Sequence, residues 1–242
     1  MSRSRAVAAR NVVVAAGAAA MAANLLPSLG CITPLRRRVL PSLAGVSDRH
    51  HIALTFDDGP DRRTTPRFLE LLENRGVTAT FFLLAAHAER EPVLVREMVD
   101  AGHELAVHGW AHDCLALRPP GSLRRELLRA REVIEDVSGT EVGWYRPPYG
   151  VMTGEGLHAA GRAGLQTVLW SSWGVDWSAR ATPASIVSTV SRSVRPGGTV
   201  LLHDTDRTSA PGSWRRTLAA TGALLERWAR ADVLVGPLRE HW

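Results

Sequence analysis

Residues 54–60 read Leu-Thr-Phe-Asp-Asp-Gly-Pro, so a short apolar run ends in two adjacent carboxylates and a turn. The apolar run predicts a buried strand, and the Gly59-Pro60 pair predicts that this strand ends there. Two carboxylates side by side repel each other, so one is usually neutralised by a metal ion or another cation. We therefore expect Asp57 and Asp58 to lie in a site at the end of a strand, with one bound to a cation and the other free for acid-base work.

Two histidines, His108 and His112, are candidate metal ligands because they are four residues apart. If the segment coils, this spacing places both imidazoles on one side, as in zinc sites with an i, i+4 pair. With Asp58 they form a set of two histidines and one carboxylate. Three protein ligands leave one coordination position open for water, which is typical of a catalytic zinc site. The same set also describes the iron site of non-haem oxygenases.

The composition narrows the class of protein. The 242 residues suffice for one catalytic domain, and we find no internal repeat or linker beyond residue 50. The chain contains no lysine, which excludes Schiff-base enzymes and Walker-type phosphate loops. The formal net charge is +5, but the arginines are dispersed and no nucleic-acid motif is present. The charge therefore suits an anionic cell wall or membrane better than a nucleic acid.

The first 49 residues differ in kind from the rest. Arginines in the first ten residues precede an Ala- and Val-rich stretch at residues 12–23, which is the order found in export signals, and residues 20–22 would supply a cleavage site. An apolar run that continues to Leu29 would instead be a marginal membrane anchor. We expect residues 1–49 to be an export signal or membrane anchor plus a basic linker, in preference to an amphipathic segment that packs on the domain. The expected location is extracytoplasmic, either secreted or anchored to the cell membrane facing outward.

From residue 50 onward, short strand-like runs alternate with helix-like segments. The expected strands are Ile52 to Phe56, Thr80 to Leu84, Glu104 to Val107, Trp144 to Arg146, Thr167 to Trp170, Thr199 to His203 and Val233 to Val235. The expected helices are Pro66 to Arg75, Pro92 to Ala101, Ser122 to Val137, Leu157 to Ala163, Pro183 to Val194 and Ser213 to Ala231. This alternation predicts an α/β fold with about seven parallel strands that close into a barrel. Polar residues that follow the strands would then share its C-terminal rim.

Five short motifs occur in order along the chain. They are residues 55–60, the His-x-x-x-His pair, Arg-Pro-Pro-Tyr-Gly at 146–150, Asp-Trp at 176–177 and Leu-Leu-His-Asp at 201–204. Together they resemble the motifs of the polysaccharide deacetylase family, the NodB-homology carbohydrate esterases of family 4. The resemblance covers roughly residues 50–242. It implies a distorted (β/α) barrel and a divalent-metal enzyme that removes acetyl groups from N-acetylated or O-acetylated sugars.

The resemblance also implies roles for individual residues. The family order assigns Asp58 to the metal and Asp57 to the general base, since one unligated carboxylate must accept a proton from the attacking water. It suggests that Arg146 orients Asp57. His203 suits protonation of the departing amine because an imidazole titrates near neutral pH.

Three further residues are candidates for substrate binding. The two prolines before Tyr149 stiffen that loop, so the backbone N–H of Tyr149 is expected to point at an oxyanion. Leu201 lies on the same strand face as His203, and with Trp177 it would form an apolar pocket for the acetyl methyl group.

Two positions depart from the family pattern. Gly109 stands where the second motif usually has Ser or Thr, which removes a hydrogen bond that would steady the His loop. Trp173 stands where the fourth motif usually begins with an aspartate, and the resemblance implies that this aspartate would tune the pKa of the catalytic histidine. Asp176 is the alternative partner for His203.

The expected function is deacetylation of a GlcNAc-type polysaccharide, such as peptidoglycan or a chitin-like oligosaccharide, by a monomer. Zinc is the first choice of metal, with cobalt, manganese or nickel as alternatives. An O-acetyl (xylan-type) esterase and a weakly active glycan-binding homologue remain as other interpretations, and Trp173 would favour the second if it disabled the acid. An iron oxygenase is disfavoured because Asp57 and His203 would have no task in it.

Overall fold

A computed structural model of the chain describes residues 33–114 and 121–242, together with residues 10, 11, 14–19, 21, 22 and 24. The expected export signal or anchor and its cleavage site therefore lie wholly or partly outside the described residues. Residues 14–19 are helical and exposed. Within the part of the chain that is described, no helix is long and apolar enough to cross a membrane.

Strands and helices alternate along the chain from residue 51 onward. The strands are β1 (His51–Asp57), β2 (Thr80–Leu83), β3 (Glu104–Val107), β4 (Trp144–Tyr145), β5 (Gln166–Thr167), β6 (Ser172–Trp173), β7 (Thr199–His203) and β8 (Leu234–Gly236). The helices are α1 (Thr33–Val39), α2 (Thr65–Glu73), α3 (Ala85–Ala88), α4 (Pro92–Asp100), α5 (Leu123–Ser138), α6 (Gly154–Arg162), α7 (Pro183–Ser193) and α8 (Ser213–Arg230). Short 3₁₀ turns lie at Pro148–Gly150 and Leu238–Glu240.

The strands form one parallel sheet in the order β5-β4-β3-β2-β1-β7-β6, and β8 pairs with the start of β1. From β1 the order runs through β2 to β5 on one side and through β7 to β6 on the other, and the sheet curls into a half-barrel. The predicted α/β barrel of about seven parallel strands is confirmed. Every residue of β1 and β2 is buried, as expected of strands covered on both faces.

The helix ends follow local chemistry that the sequence indicates. Thr182 accepts a hydrogen bond from the backbone of Ser185, whose side chain bonds back to the backbone of Thr182, and Pro183 opens α7. Such a capping box satisfies two backbone donors that would otherwise lack partners. At the C-terminus of a different helix, α5, Gly139 has φ 72°, a left-handed conformation that suits glycine and ends the helix.

The opening of the barrel differs from the prediction. The expected strand from Thr167 to Trp170 is shorter, β6 and α3 were not predicted, and β5 is not paired with β6 in the described structure. Residues 168–171 lie between β5 and β6 and belong to neither strand, so their carbonyl groups are outside the regular strand pairing. Backbone groups that are buried without a partner are costly, so other donors are required.

Three arginines supply those donors. Arg146 donates to the first two carbonyls, at 3.4 and 2.9 Å, and Arg36 donates to the carbonyl of Trp170 at 2.5 Å. Arg37 donates to the last of the four. Arg36 is buried, and the carbonyl of Leu43 accepts a hydrogen bond from the backbone at 169. Residues assigned to a basic linker thus pack along the open edge, and the packed unit begins before residue 50.

A buried histidine away from the rim should make folding sensitive to acid. His103 accepts a hydrogen bond from Ala79 N through Nδ1 (3.1 Å), which requires a neutral ring. Burial, with a smaller effect of Arg239, lowers its pKa from 6.5 to about 4. The unfolded chain therefore binds this proton first, and stability falls as the pH drops from about 6.5 towards 4, by about 2 kcal/mol at pH 5.

Thermal unfolding of the wild type and of His103→Asn between pH 7 and 4.5 tests this prediction. The Asn amide oxygen can accept the same backbone hydrogen bond but does not titrate. The variant should therefore lose less stability on acidification than the wild type. Equal slopes for the two proteins would contradict the role of His103.

Candidate active site

The sheet brings the candidate residues together at its C-terminal rim. Asp57 is the last residue of β1 and pairs in register with His203, the last residue of β7. His108 directly follows β3, and Arg146 directly follows β4. A cavity of about 250 Å³ opens here, lined by residues from each of the five motifs. Parallel strands end at one edge, so residues that are far apart in sequence share one site.

Asp58, His108 and His112 form the cluster that the sequence predicts as a metal site. Nε2 of each histidine lies 3.3 Å from Asp58 Oδ1, and one ligand atom from each residue lies within 4.8 Å of the others. Asp58 is buried with φ 78°, a strained backbone conformation for a residue with a side chain. Asp58 Oδ1 is also buried and accepts no hydrogen bond within the described residues.

This cluster fits a divalent cation. His108 Nδ1 donates to the carbonyl of Arg146 (2.8 Å), which leaves the lone pair of Nε2 facing Asp58 Oδ1. Burial lowers the pKa of His112, which favours the neutral imidazole that binds metals. A buried carboxylate oxygen that faces two imidazole nitrogens and accepts no hydrogen bond from the described residues is part of a ligand set for zinc and similar ions.

Asp57 has different partners from Asp58 although the two are adjacent. Its Oδ1 accepts a 2.7 Å hydrogen bond from Arg146 Nη1, and its Oδ2 lies 3.9 Å from His108 Nε2. Arg146 is fully buried and also donates to Thr55 Oγ1 at 2.8 Å. The guanidinium is therefore fixed by the strand, the barrel opening and the carboxylate together. It holds Asp57 in one orientation, outside the Asp-His-His cluster.

His203 is paired with Asp176. His203 Nδ1 donates to Asp176 Oδ1 (3.0 Å), while Asp176 Oδ2 accepts from His203 N (2.8 Å) and from Thr217 Oγ1 (3.0 Å). Burial would lower the pKa of His203, but the charge of Asp176 and this hydrogen bond raise it to about 10. Asp176 thus supplies the carboxylate that Trp173 cannot. The ring's other nitrogen, Nε2, lies 3.9 Å from Asp58 Oδ2 in the cavity.

The opposite wall of the cavity is apolar. Trp173 lies between Trp170 and Trp177, with ring centroids 5.8 and 4.8 Å away, and Trp177 meets the ring of His203 edge-on at 5.9 Å. Leu201 pairs in register with Trp173 and also lines the cavity. An apolar wall facing polar groups is the usual composition of a small-molecule site.

Tyr149 lies at the mouth of this cavity. The residue is 62% exposed, and its ring contacts His112 edge-on with centroids 4.4 Å apart. Its φ is 60°, so the stiff Pro-Pro segment leads into a sharp turn. Sequence reasoning missed three other lining residues, Trp170, Thr208 and Ser209. The only signal for the last two was their place in the loop that follows a rim strand.

Gly109 stands where the family pattern has a Ser or Thr hydroxyl, and it adopts a backbone conformation that suits glycine. Its φ is 107°, a value that residues with a side chain rarely adopt. The loop is held instead by α3: Ala85 N donates to Gly109 O (3.0 Å), and Ala86 N donates to Trp110 O (3.1 Å). Two backbone amides therefore steady the segment between His108 and His112.

The curled parallel half-barrel thus carries a buried Asp-His-His cluster and the hydrogen-bonded pair His203-Asp176 at its rim. The chain belongs to the polysaccharide deacetylase family, because residues 44–168 match the model described as polysaccharide deacetylase. A chitooligosaccharide deacetylase of Bradyrhizobium sp. (strain ANU 289) is 39% identical over 160 residues, which is 66% of this chain and 73% of that protein.

Solved structures with the same fold differ in activity. A peptidoglycan N-acetylglucosamine deacetylase, bound to 4-naphthalen-1-yl-N-oxidanyl-benzamide, superposes with a TM-score of 0.75 at 28% identity, over 82% of this chain and 90% of that one. A family 4 pseudoenzyme from Bacillus anthracis has a TM-score of 0.72 at 26% identity, over 80% of this chain and 66% of that one. Because the fold occurs in an enzyme and in a pseudoenzyme, activity depends on the residues of the site and not on the fold alone.

Proposed function

We propose that the protein is a metal-dependent deacetylase that hydrolyses the N-acetyl groups of N-acetylglucosamine residues in a glycan. The observation that carries this proposal is that two adjacent carboxylates have different partners. Asp58 faces two imidazoles and Asp57 faces Arg146. Relatives named as chitooligosaccharide and peptidoglycan N-acetylglucosamine deacetylases support the substrate class.

The residues of the rim divide the reaction between them. A divalent ion held by Asp58, His108 and His112 would polarise the acetyl carbonyl and increase the acidity of the attacking water. Asp57 accepts the proton of that water, and the hydrogen bond from Arg146 orients its carboxylate. The backbone N–H of Tyr149 donates to the oxyanion that develops as the carbonyl carbon becomes tetrahedral.

His203 completes the reaction by protonating the leaving amine. An amine expelled from a tetrahedral intermediate is a poor leaving group until it gains a proton. Nδ1 of His203 is engaged by Asp176, so Nε2 is the nitrogen that carries the transferable proton. Asp176 stabilises the imidazolium, which favours this reading over a weakly active glycan-binding homologue. The acetyl methyl group fits against Leu201 and Trp177.

The substrate is tested by measuring acetate release from peptidoglycan, chitooligosaccharides and acetylxylan by protein loaded with Zn²⁺, Co²⁺, Mn²⁺ or Ni²⁺. We expect acetate and an equal amount of new free amine from the first two substrates. Release of acetate from acetylxylan alone would show that the protein is an O-acetyl esterase and not an amidase. No release from any substrate with any of these ions would reject the proposal.

An extracytoplasmic location is part of the proposal and rests on the arginine and apolar pattern of residues 1–23.

A leaving-group comparison tests the role of His203. His203→Ala should reduce hydrolysis of an N-acetyl amide by ~100-fold or more, the scale on which general acids contribute. Hydrolysis of an activated aryl acetate should fall by less than ~10-fold, because its leaving group needs no proton. Rates on both substrates are measured with the metal content matched to the wild type. Equal losses would show that His203 is not the acid.

A further inference from the structure

We infer that Thr208 is a positioning residue that orients Asp58 for metal binding, an inference that rests on the metal site proposed above. The two oxygens of Asp58 have separate partners. Oδ1 faces Nε2 of His108 and His112, each at 3.3 Å, and Oδ2 accepts a hydrogen bond from Thr208 Oγ1. The threonine therefore engages the oxygen that faces away from the two imidazoles.

This contact decides which oxygen the cation meets. The backbone of Asp58 is already held, because the residue has φ 78° and is fully buried, but its carboxylate can still rotate about its last side-chain bond. A hydroxyl donor on Oδ2 opposes that rotation and keeps Oδ1 between the histidines. Hydrogen bonds to ligating side chains commonly change metal affinity by about 10- to 100-fold because they orient the ligand before the ion arrives.

The loop that carries Thr208 is held by contacts that do not involve Asp58. Gly212 N donates to Asp206 Oδ2 (2.6 Å), and Ala210 N donates to Trp177 O (2.9 Å). Earlier in the same loop, Thr205 Oγ1 donates to Asp61 Oδ2 (3.1 Å). Arg207 Nε forms an ion pair with that same oxygen (3.2 Å). The hydroxyl is therefore presented to Asp58 from a structured loop, so the contact is built into the fold.

Thr208 lies outside the five sequence motifs. Thr208 lies four residues after the Leu-Leu-His-Asp motif and also lines the cavity. Its hydroxyl can donate one hydrogen bond and has no charge to compete with a bound cation. A valine at the same position has nearly the same shape and lacks the donor, so the two effects can be separated by substitution.

The test measures the dissociation constant for Zn²⁺ alone, by competition with a chelator, in the full-length chain. Thr208→Val should weaken Zn²⁺ binding by about 10- to 100-fold. Thr208→Ser, which keeps the hydroxyl, should remain within about threefold of the wild type. Thr208→Ala removes the same hydroxyl without adding an apolar group, so it should weaken binding as valine does. Thr221→Val is a matched control, because that buried hydroxyl donates to Thr217 O, one turn earlier in α8 (2.9 Å), and does not contact Asp58.

Each outcome separates the inference from the proposed function. Thr208→Val and Thr208→Ala with wild-type affinity overturn the inference while leaving the metal site in place. A serine variant as weak as the valine variant also overturns it, because the hydroxyl would not be the cause. A wild-type chain that binds no Zn²⁺ overturns the metal site and the inference together. The melting temperature of each metal-free variant, measured alongside, should match the wild type, and a loss of affinity that tracks a loss of fold counts against the inference.

Discussion

His112→Ala is expected to abolish both stoichiometric metal binding and turnover, while the domain stays folded. Among the described residues, Asp58, His108 and His112 are the ligands of the proposed ion, and two ligands hold a divalent cation far more weakly than three. His112 is in the loop after β3, not in a strand, and its ring contacts Tyr149 at the mouth of the cavity. Its removal therefore leaves the core of the barrel intact.

Elemental analysis of the purified variant, together with acetate release and circular dichroism, measures the three quantities. His158→Ala is the matched control, because His158 is exposed on α6 and lies outside the cavity. That control should keep wild-type metal content and rate. If His112→Ala retains one metal ion per chain, the cluster is not the metal site. If it loses the metal and keeps its turnover, the metal is not catalytic.

The sequence was most informative where an element is defined by local chemistry. The predicted boundaries of β3 and β7 match the structure, because each strand has a short apolar run, residues 105–107 or 200–202, with polar residues on both sides. Alternation of strands and helices predicts a parallel sheet, and a parallel sheet places Asp57 and His203 on one rim, whereas their pairing in register is seen only in the structure. Positions on the rim were therefore accessible without a structure.

The sequence was least informative where long-range contacts replace local ones. The strand expected to reach Trp170 ends at Thr167, because the next carbonyls are outside the regular strand pairing and are satisfied by Arg36, Arg37 and Arg146. Two of those arginines lie over 130 residues earlier in the chain. A two-residue strand such as β6 has no periodicity to detect.

The partner of His203 shows the same limit. A motif pattern that expects an aspartate at position 173 leaves open whether the imidazolium is stabilised. In the structure, Trp173 joins the apolar wall, and Asp176 reaches His203 from the loop that follows β6. Spacing along the chain specifies which residue types are available, but the path of the loop decides which carboxylate faces the ring.

Asp57→Asn should lower turnover by ~100-fold or more, on the scale that general bases contribute, while metal content stays at the wild-type level. The substitution keeps the size of the side chain, and its amide oxygen can still accept the hydrogen bond from Arg146. What it removes is the capacity to take a proton from the attacking water. Because every substrate needs that water, rates on the N-acetyl amide and on the aryl acetate should fall together. This pattern distinguishes Asp57 from His203, whose loss should affect the amide selectively.

Asp58→Asn is the control for this prediction, since the two carboxylates are adjacent and both buried. It should lose metal affinity, because a neutral amide is a weaker ligand than a carboxylate for a divalent ion. Removing the charge of Asp57 leaves the buried guanidinium of Arg146 without its counter-ion, so a lower melting temperature is also expected for Asp57→Asn. Turnover is therefore compared well below that temperature. If Asp57→Asn loses the metal and Asp58→Asn keeps it, the two roles are exchanged, and the guanidinium contact marks the ligand and not the base.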